Sequence, residues 1–238
     1  MTTPLFPGGV AVSDLMVYDA EAVDGRCGGS PHLHTASSEG YIVVGGTGSV
    51  ETLSAAGAEV HPLAPGDVLW FSPGTVHRLV NDGGLRLLVV MSNAGLPEAG
   101  DAVMTFPPDV LADPAAYAAA ATLPDGEGRA AAARERRDLA IAGYLALREA
   151  VQRDGAAALA DLHAAAVGLV RGRVGQWQER WDRTVAAETE RTRAQLDALA
   201  AGEPGLMAAA AVVRGERTPG ERGYGMCGRL QTWQWPSA

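Results

Sequence analysis

Hydrophobic and polar positions change their rhythm once along this chain, close to Pro107. Before that point, short apolar runs are cut by turn residues. Gly40 to Val50 reads as a strand, a glycine turn and a second strand. Val68-Leu69-Trp70-Phe71 reads as a strand closed by Ser72-Pro73-Gly74. Leu85 to Met91 is almost continuously apolar, the pattern of a strand buried on both faces. Several short strands, about ten residues apart, indicate a β-sandwich or barrel. From Pro107 onward alanine dominates and β-branched residues thin out. Asp113 is placed to cap a short helix that starts at Pro114. A second helix is predicted from Arg129 to Arg153. A third runs from Ala156 to Ala200, with an apolar stripe at Val167, Val170, Val174, Trp177, Trp181 and Val185. Gly168, Gly172 and Gly175 weaken it, Gly202 and Pro204 end it, and its two tryptophans are expected in a core or an interface. The tail from Gly228 to Trp235 alternates, which predicts a short terminal strand returning to an edge of the first sheet.

The expected fold is therefore α+β: a β-barrel over residues 1–106, then an extension over residues 107–238 that is mostly α-helical. At 238 residues and 47% hydrophobic the chain can bury a sizeable core. Its formal net charge of -9, with no basic cluster, argues against nucleic acid as a partner. No apolar run long enough for a membrane span appears, and Met1-Thr2-Thr3-Pro4 does not read as a secretory leader. Cys27 and Cys227 are too few for a disulfide framework, so a cytoplasmic setting is expected.

Candidate chemistry gathers in one place. Three of the five histidines, His32, His34 and His61, precede residue 62, and the first two sit two residues apart with Glu39 shortly after. Side chains alternate across a strand, so His32 and His34 share a face. Two imidazoles and a carboxylate on one face make a cup for a transition metal. Glu39 has the wrong parity for an unbroken strand, but Thr35 to Ser38 are turn-prone and a bend there returns it to the same face. His77 follows the turn at Pro73-Gly74 and starts another strand. His61 is read as a surface residue, His163 as solvated or making a local contact, and Cys27 as a buried thiol. Tyr41 and Val43 share the alternation of Glu39, which makes the Tyr41 hydroxyl a weak catalytic candidate. Trp70, Arg78, Asn81, Arg86 and Met91 lie on predicted strands with their direction open.

Two linked motifs in this stretch resemble the signatures of the cupin superfamily. The first is Gly25, His32-Leu33-His34, Glu39 and Gly46; the second is Gly66, Pro73-Gly74, His77 and Asn81. The glycine of the first motif and the proline of the second are each displaced by one residue. The resemblance covers roughly residues 25 to 95, and it is closest to a single-domain, cupin-2-like barrel with a helical extension. It implies a jelly-roll barrel with one divalent transition ion (Fe, Mn, Ni, Cu, Co or Zn) held by His32, His34, Glu39 and His77. Such a set leaves positions open on the ion, which suits catalysis on a small organic molecule. Because this superfamily hosts many chemistries, fold does not select the reaction. Dioxygenase-like chemistry is the first expectation, with Glu39 as ligand or base. Isomerisation or epimerisation of a sugar or polyol is the alternative, and it needs a further acid or base that the sequence does not reveal. A non-catalytic metal- or ligand-binding cupin is the third reading. Asn81 is expected to support a turn or strand pairing, and a homodimer is expected from the way such barrels pair.

Overall fold

The computed structural model describes residues 6–234; the amino-terminal segment read for a leader and Trp235 of the alternating tail lie outside them. The strands are β1 (Ala11–Val17), β2 (His32–His34), β3 (Glu39–Ser54), β4 (Gly57–Leu63), β5 (Val68–Phe71), β6 (Val76–Met91) and β7 (Ala102–Met104). Helices α1 (Pro108–Ala112), α2 (Pro114–Ala121), α3 (Arg129–Asp154), α4 (Ala160–Val170), α5 (Val174–Trp181) and α6 (Ala187–Ala200) follow. The tail adds β8 (Glu216–Arg217), β9 (Gly223–Tyr224), β10 (Gly228–Gln231) and β11 (Trp233–Gln234). One antiparallel, jelly-roll-like sheet runs β4-β3-β6-β1-β10-β9, with β5 on β3 and with β2 joining β6 to β7. β8 and β11 pair separately.

The segment predicted as strand, turn and strand is one 16-residue strand, β3. Its glycines bend it without reversing it. Pairing with β6 slips between Val43 and Gly48, so the two halves of β3 and β6 lie at different inclinations and the sheet curls. Gly46 has φ +70°, and a Cβ there would fall 2.2 Å from the Gly84 carbonyl carbon, so only glycine fits this crossing.

Alternation splits the buried residues into two layers. Leu15, Tyr41, Val43, Val50, Leu79, Leu87 and Val89 point into the barrel. Leu33, Leu53, Val76 and Val103 point the other way and pack against α1, α3, α4 and α5 through Leu111, Tyr144, Leu162 and Trp177. The helices therefore cover one outer face of the curled sheet. Gly143 lets α3 come close: a Cβ there would meet the Thr105 carbonyl oxygen at 2.1 Å.

The Asp113 side chain accepts from the Ala115 N–H at 2.8 Å and caps α2. The long third helix differs from its expectation. A 3-10 turn at Arg171–Arg173 and a π turn at Asp182–Ala186 cut it into α4, α5 and α6. Gly172 sits in the first break, where it lowers the cost of leaving α geometry. Only part of the stripe is buried: Val170 and Trp177 are, while Val167, on the same helix as Val170, is 61% exposed and Trp181 is 40% exposed. Among the described residues no helix is long and apolar enough to cross a membrane.

Candidate metal centre

His32 and His34 lie on β2, Glu39 opens β3 and His77 is the second residue of β6. β2 pairs with β6 at His32 and His77, which sets those two imidazoles side by side. Leu33 between the two histidines faces the helical layer, leaving both imidazoles to the barrel interior. One donor atom from each of His32, His34, Glu39 and His77 falls within 4.8 Å of all the others, and all four residues are buried. Glu39 Oε2 lies 3.1 Å from His34 Nε2 and 3.0 Å from His77 Nε2. His32 Nε2 and His77 Nε2 are 3.1 Å apart.

The outer nitrogens decide what this cluster can hold. His32 Nδ1 donates to the Ser30 carbonyl at 2.9 Å, and His77 Nδ1 to the Thr75 carbonyl at 3.1 Å. His34 Nδ1 donates to Asp101 Oδ1 at 2.7 Å. A carbonyl can only accept, so the proton of a neutral imidazole sits on Nδ1 and the lone pair on Nε2 points inward. Three inward lone pairs and a carboxylate oxygen within this space repel one another unless a cation lies between them. The donor set thus fits a divalent transition ion. Without one, protons take its part. Burial, and then the neighbouring imidazoles His77 and His34, push His32 well below the usual histidine range. Burial opposes a charge on His34 as well, but Asp101 and Glu39 outweigh it and raise its pKa to about 10. Burial likewise disfavours the Glu39 carboxylate, yet the charges of His77 and His34 hold its pKa well below the carboxylate norm.

Asp101 was invisible in the sequence motifs and is the main addition. It is fully buried just ahead of β7. Beyond His34, its Oδ2 accepts from the Ser37 N–H at 3.0 Å. Its backbone carbonyl accepts from the Thr35 N–H and hydroxyl, both at 2.9 Å. One residue therefore fixes the His34 ring and the link that carries the chain from His34 to Glu39. The helical half reaches the same link. Trp181 Nε1 donates to Asn93 Oδ1 at 3.1 Å, and Asn93 Nδ2 donates to the Ala36 carbonyl at 3.0 Å.

The remaining expectations divide. Tyr41 is fully buried, its ring 5.4 Å from that of Phe71 and 6.4 Å from that of His77. Burial, then the Glu39 charge, drives its phenol well above the usual range, so its proton is held. Asn81 supports the sheet: its Oδ1 accepts from the N–H groups of Gly83 and Leu85 within β6, and its amide donates to the Val17 carbonyl of β1. Met91 is in the barrel core, while Arg86 faces outward to Asp14. Arg78 is fully buried and also faces out of the barrel, with Asp24. Trp70 is 74% exposed.

Three readings need correction. His61 is half-buried on β4, its Nε2 3.1 Å from Thr52 Oγ1, because the edge strand turns this residue inward. His163 makes a long-range contact: its Nε2 donates to the Gly74 carbonyl at 2.9 Å and pins the turn before His77. Cys27 is partly exposed, its thiol donating to the Asp19 carbonyl at 3.0 Å. The buried thiol is Cys227, 4.0 Å from His32 Nδ1.

Residues 21–91 match the family model for the cupin domain, so the resemblance carried by the two histidine motifs holds across that stretch. No curated protein sequence matches the chain. Among solved structures, one similar chain is an uncharacterised Klebsiella pneumoniae protein with a double-stranded β-helix domain, at 19% identity over 37% of this chain and 70% of that one, TM-score 0.30. Another is the Streptomyces protein Pac13, described as a nucleoside dehydratase, at 20% identity over 42% of this chain and 70% of that one, TM-score 0.31. A Thermotoga maritima protein described as a predicted oxalate decarboxylase aligns at 22% identity over 35% of this chain and 64% of that one, TM-score 0.27.

Proposed function

We propose that this chain, whose residues 21–91 carry a cupin domain, is a metal-dependent enzyme acting on a small organic molecule, with oxygenase-type chemistry as the first reading. The observation that carries it is the committed outer nitrogen of every histidine in the cup, which turns three lone pairs and Glu39 onto one point. His32, His34, Glu39 and His77 are the proposed ligands. A divalent transition ion there supplies a Lewis-acid centre with open positions and, if redox-active, a partner for dioxygen. The residues around it set the conditions. Asp101 holds His34 in the liganding tautomer, Tyr41 keeps its proton, and the Phe71 ring, 4.3 Å from that of His77, shields the cup from bulk water. Glu39 stays a ligand or, released from the ion, acts as a base.

A second reading, isomerisation or epimerisation of a sugar or polyol, gains support from His61, because it places a titratable group on the inner rim. We further propose a division of the chain after residue 106, and a cytoplasmic setting consistent with two free cysteines. We also propose a homodimer joined through the outer face of the sheet, where Ile42, Val44, Val68 and Trp70 are exposed side by side.

Metal content of protein purified without added metal tests the site. About one ion per chain is expected in the wild type, with loss in His32→Ala and in His77→Ala; unchanged content in both variants sinks the assignment. Fe(II)-dependent oxygen consumption then separates the oxygenase reading from the isomerase one.

A further inference from the structure

A cavity of about 570 Å³ opens beside the ligand cup, and its lining includes Thr52, Glu59, His61, Phe71, Thr75 and His163. None of the four proposed ligands lines it, yet its floor is one side chain away from them. Thr52 pairs in register with His77, so both side chains stand on the same face of the sheet. The Phe71 ring contacts that of His77, and the Thr75 carbonyl accepts from His77 Nδ1. Glu59 pairs with Thr52 in turn, which extends the row His32, His77, Thr52, Glu59 across four strands to the rim. His61, two residues along β4, shares that face and holds Thr52 Oγ1.

The charge of this lining is selective. Hydroxyls, two imidazoles and one carboxylate border the cavity, with apolar surface from Leu69, Phe71 and Leu159. No arginine lines it, and the chain contains no lysine: all 19 of its basic residues are arginines placed elsewhere. A carboxylate or phosphate group entering here would lose water without meeting a guanidinium or ammonium group in the lining, and would face Glu59. A hydroxylated ligand meets the opposite case, because carboxylate and imidazole accept from hydroxyls and Thr52 can both give and accept. Building on the enzyme reading above, we propose that this cavity takes an uncharged, polyhydroxylated small molecule. Glu59, His61 and Thr52 bond its hydroxyls, and its carbon face lies on Phe71.

The test is calorimetric titration of metal-loaded protein with D-glucose, D-xylose and glycerol, and with D-glucuronate, glucose 6-phosphate and D-glucosamine. At least one neutral compound is expected to bind saturably, about tenfold more tightly than either anion. Glu59→Gln and His61→Ala should each weaken it by about tenfold, while Glu59→Arg should bring glucose 6-phosphate to within about threefold of glucose. Glu59 is exposed and His61 is half-buried on an edge strand, so the variants are expected to fold, which circular dichroism checks. Equal or tighter binding of an anion, tighter binding of glucosamine, no saturable binding of any neutral compound, or indifference to Glu59→Gln overturns the proposal. Metal analysis on the same samples keeps the two readings apart. Failure of the protein to take up metal, with sugar binding retained, would sink the metal-enzyme reading and leave this one standing; metal uptake without sugar binding would do the reverse.

Discussion

Neighbouring residues on β3 and β6 build two buried polar layers of opposite character. His77 and Thr52 face into the barrel; Arg78 and Glu51, one residue along on each strand, face the helices. In the outer layer charges meet their opposites. Arg78 grips Asp24 with two bonds of 2.6 and 3.0 Å. Glu51 is paired with Arg26, with Arg148 of α3 at 3.7 Å and with Arg78 at 3.8 Å. In the inner layer lone pairs meet lone pairs. The outer layer satisfies its two carboxylates from within, with three arginines, and ties α3 and the loop before β2 to the sheet. The inner one is balanced only by something that enters. Burial of polar groups is common to both, and the sign of what surrounds them separates a fastener from a receptor.

That contrast can be broken most directly at Arg78. Replacement by Met strands Asp24, whose side chain has Arg78 as its cation, while Glu51 keeps Arg26 and Arg148; a loss of about 3 kcal/mol is expected in denaturant titrations. His77→Gln in metal-free protein keeps most of the buried volume while removing an inward ring nitrogen, and should cost less, about 1 kcal/mol. Similar losses for the two would erase the distinction. A smaller effect sharpens the inner layer. Asp101→Asn keeps the shape but turns an N–H toward the Ser37 N–H or withdraws the acceptor from His34. Metal affinity, measured by chelator competition, should fall about 10–100-fold with little change in stability; full affinity would leave Asp101 with a packing role alone.

The smallest effect belongs to a third charge cluster, Asp14 with Arg86 and Arg222. The Arg86 bonds, joined by Arg222 and opposed by burial, lower the Asp14 pKa from 3.8 to about 2. A depressed carboxyl pKa stabilises the fold above the unfolded value, and that benefit fades as pH drops from 3.8 toward about 2. Arg86 is half-exposed, so solvent screening keeps the contribution near about 1 kcal/mol. Asp14→Asn should therefore differ from the wild type by that amount in urea titrations at pH 7 and converge with it near the bottom of that window. A gap that persists in acid would assign the cost to packing.

What could be read from the sequence follows from where each signal is stored. The switch from strands to helices at Pro107 and the grouping of His32, His34, Glu39 and His77 rest on local alternation and motif spacing, which a chain displays openly. Asp101 lies 67 residues from His34 in a stretch of glycine, alanine and proline with no pattern of its own, so only tertiary pairing of β7 with β2 delivers it. The inward turn of His61 was hidden because Pro62 disguises an edge strand as a loop. The breaks in the long helix depend on which faces the barrel leaves free, and glycine positions alone mark only where they are cheap.

β10 lies against β1, pairing Leu15 with Leu230, and sets Cys227 beside His32. The sheet is thus completed beyond β1 by residues made after every helix. On the ribosome, the free side of β1 waits unpaired while more than two hundred residues are added between it and its partner. During that interval β6 already covers its other side, and the open edge invites pairing with any other emerging strand. Closure at such sequence separation is slow, so the yield of folded protein should depend on how quickly the tail follows the helices out.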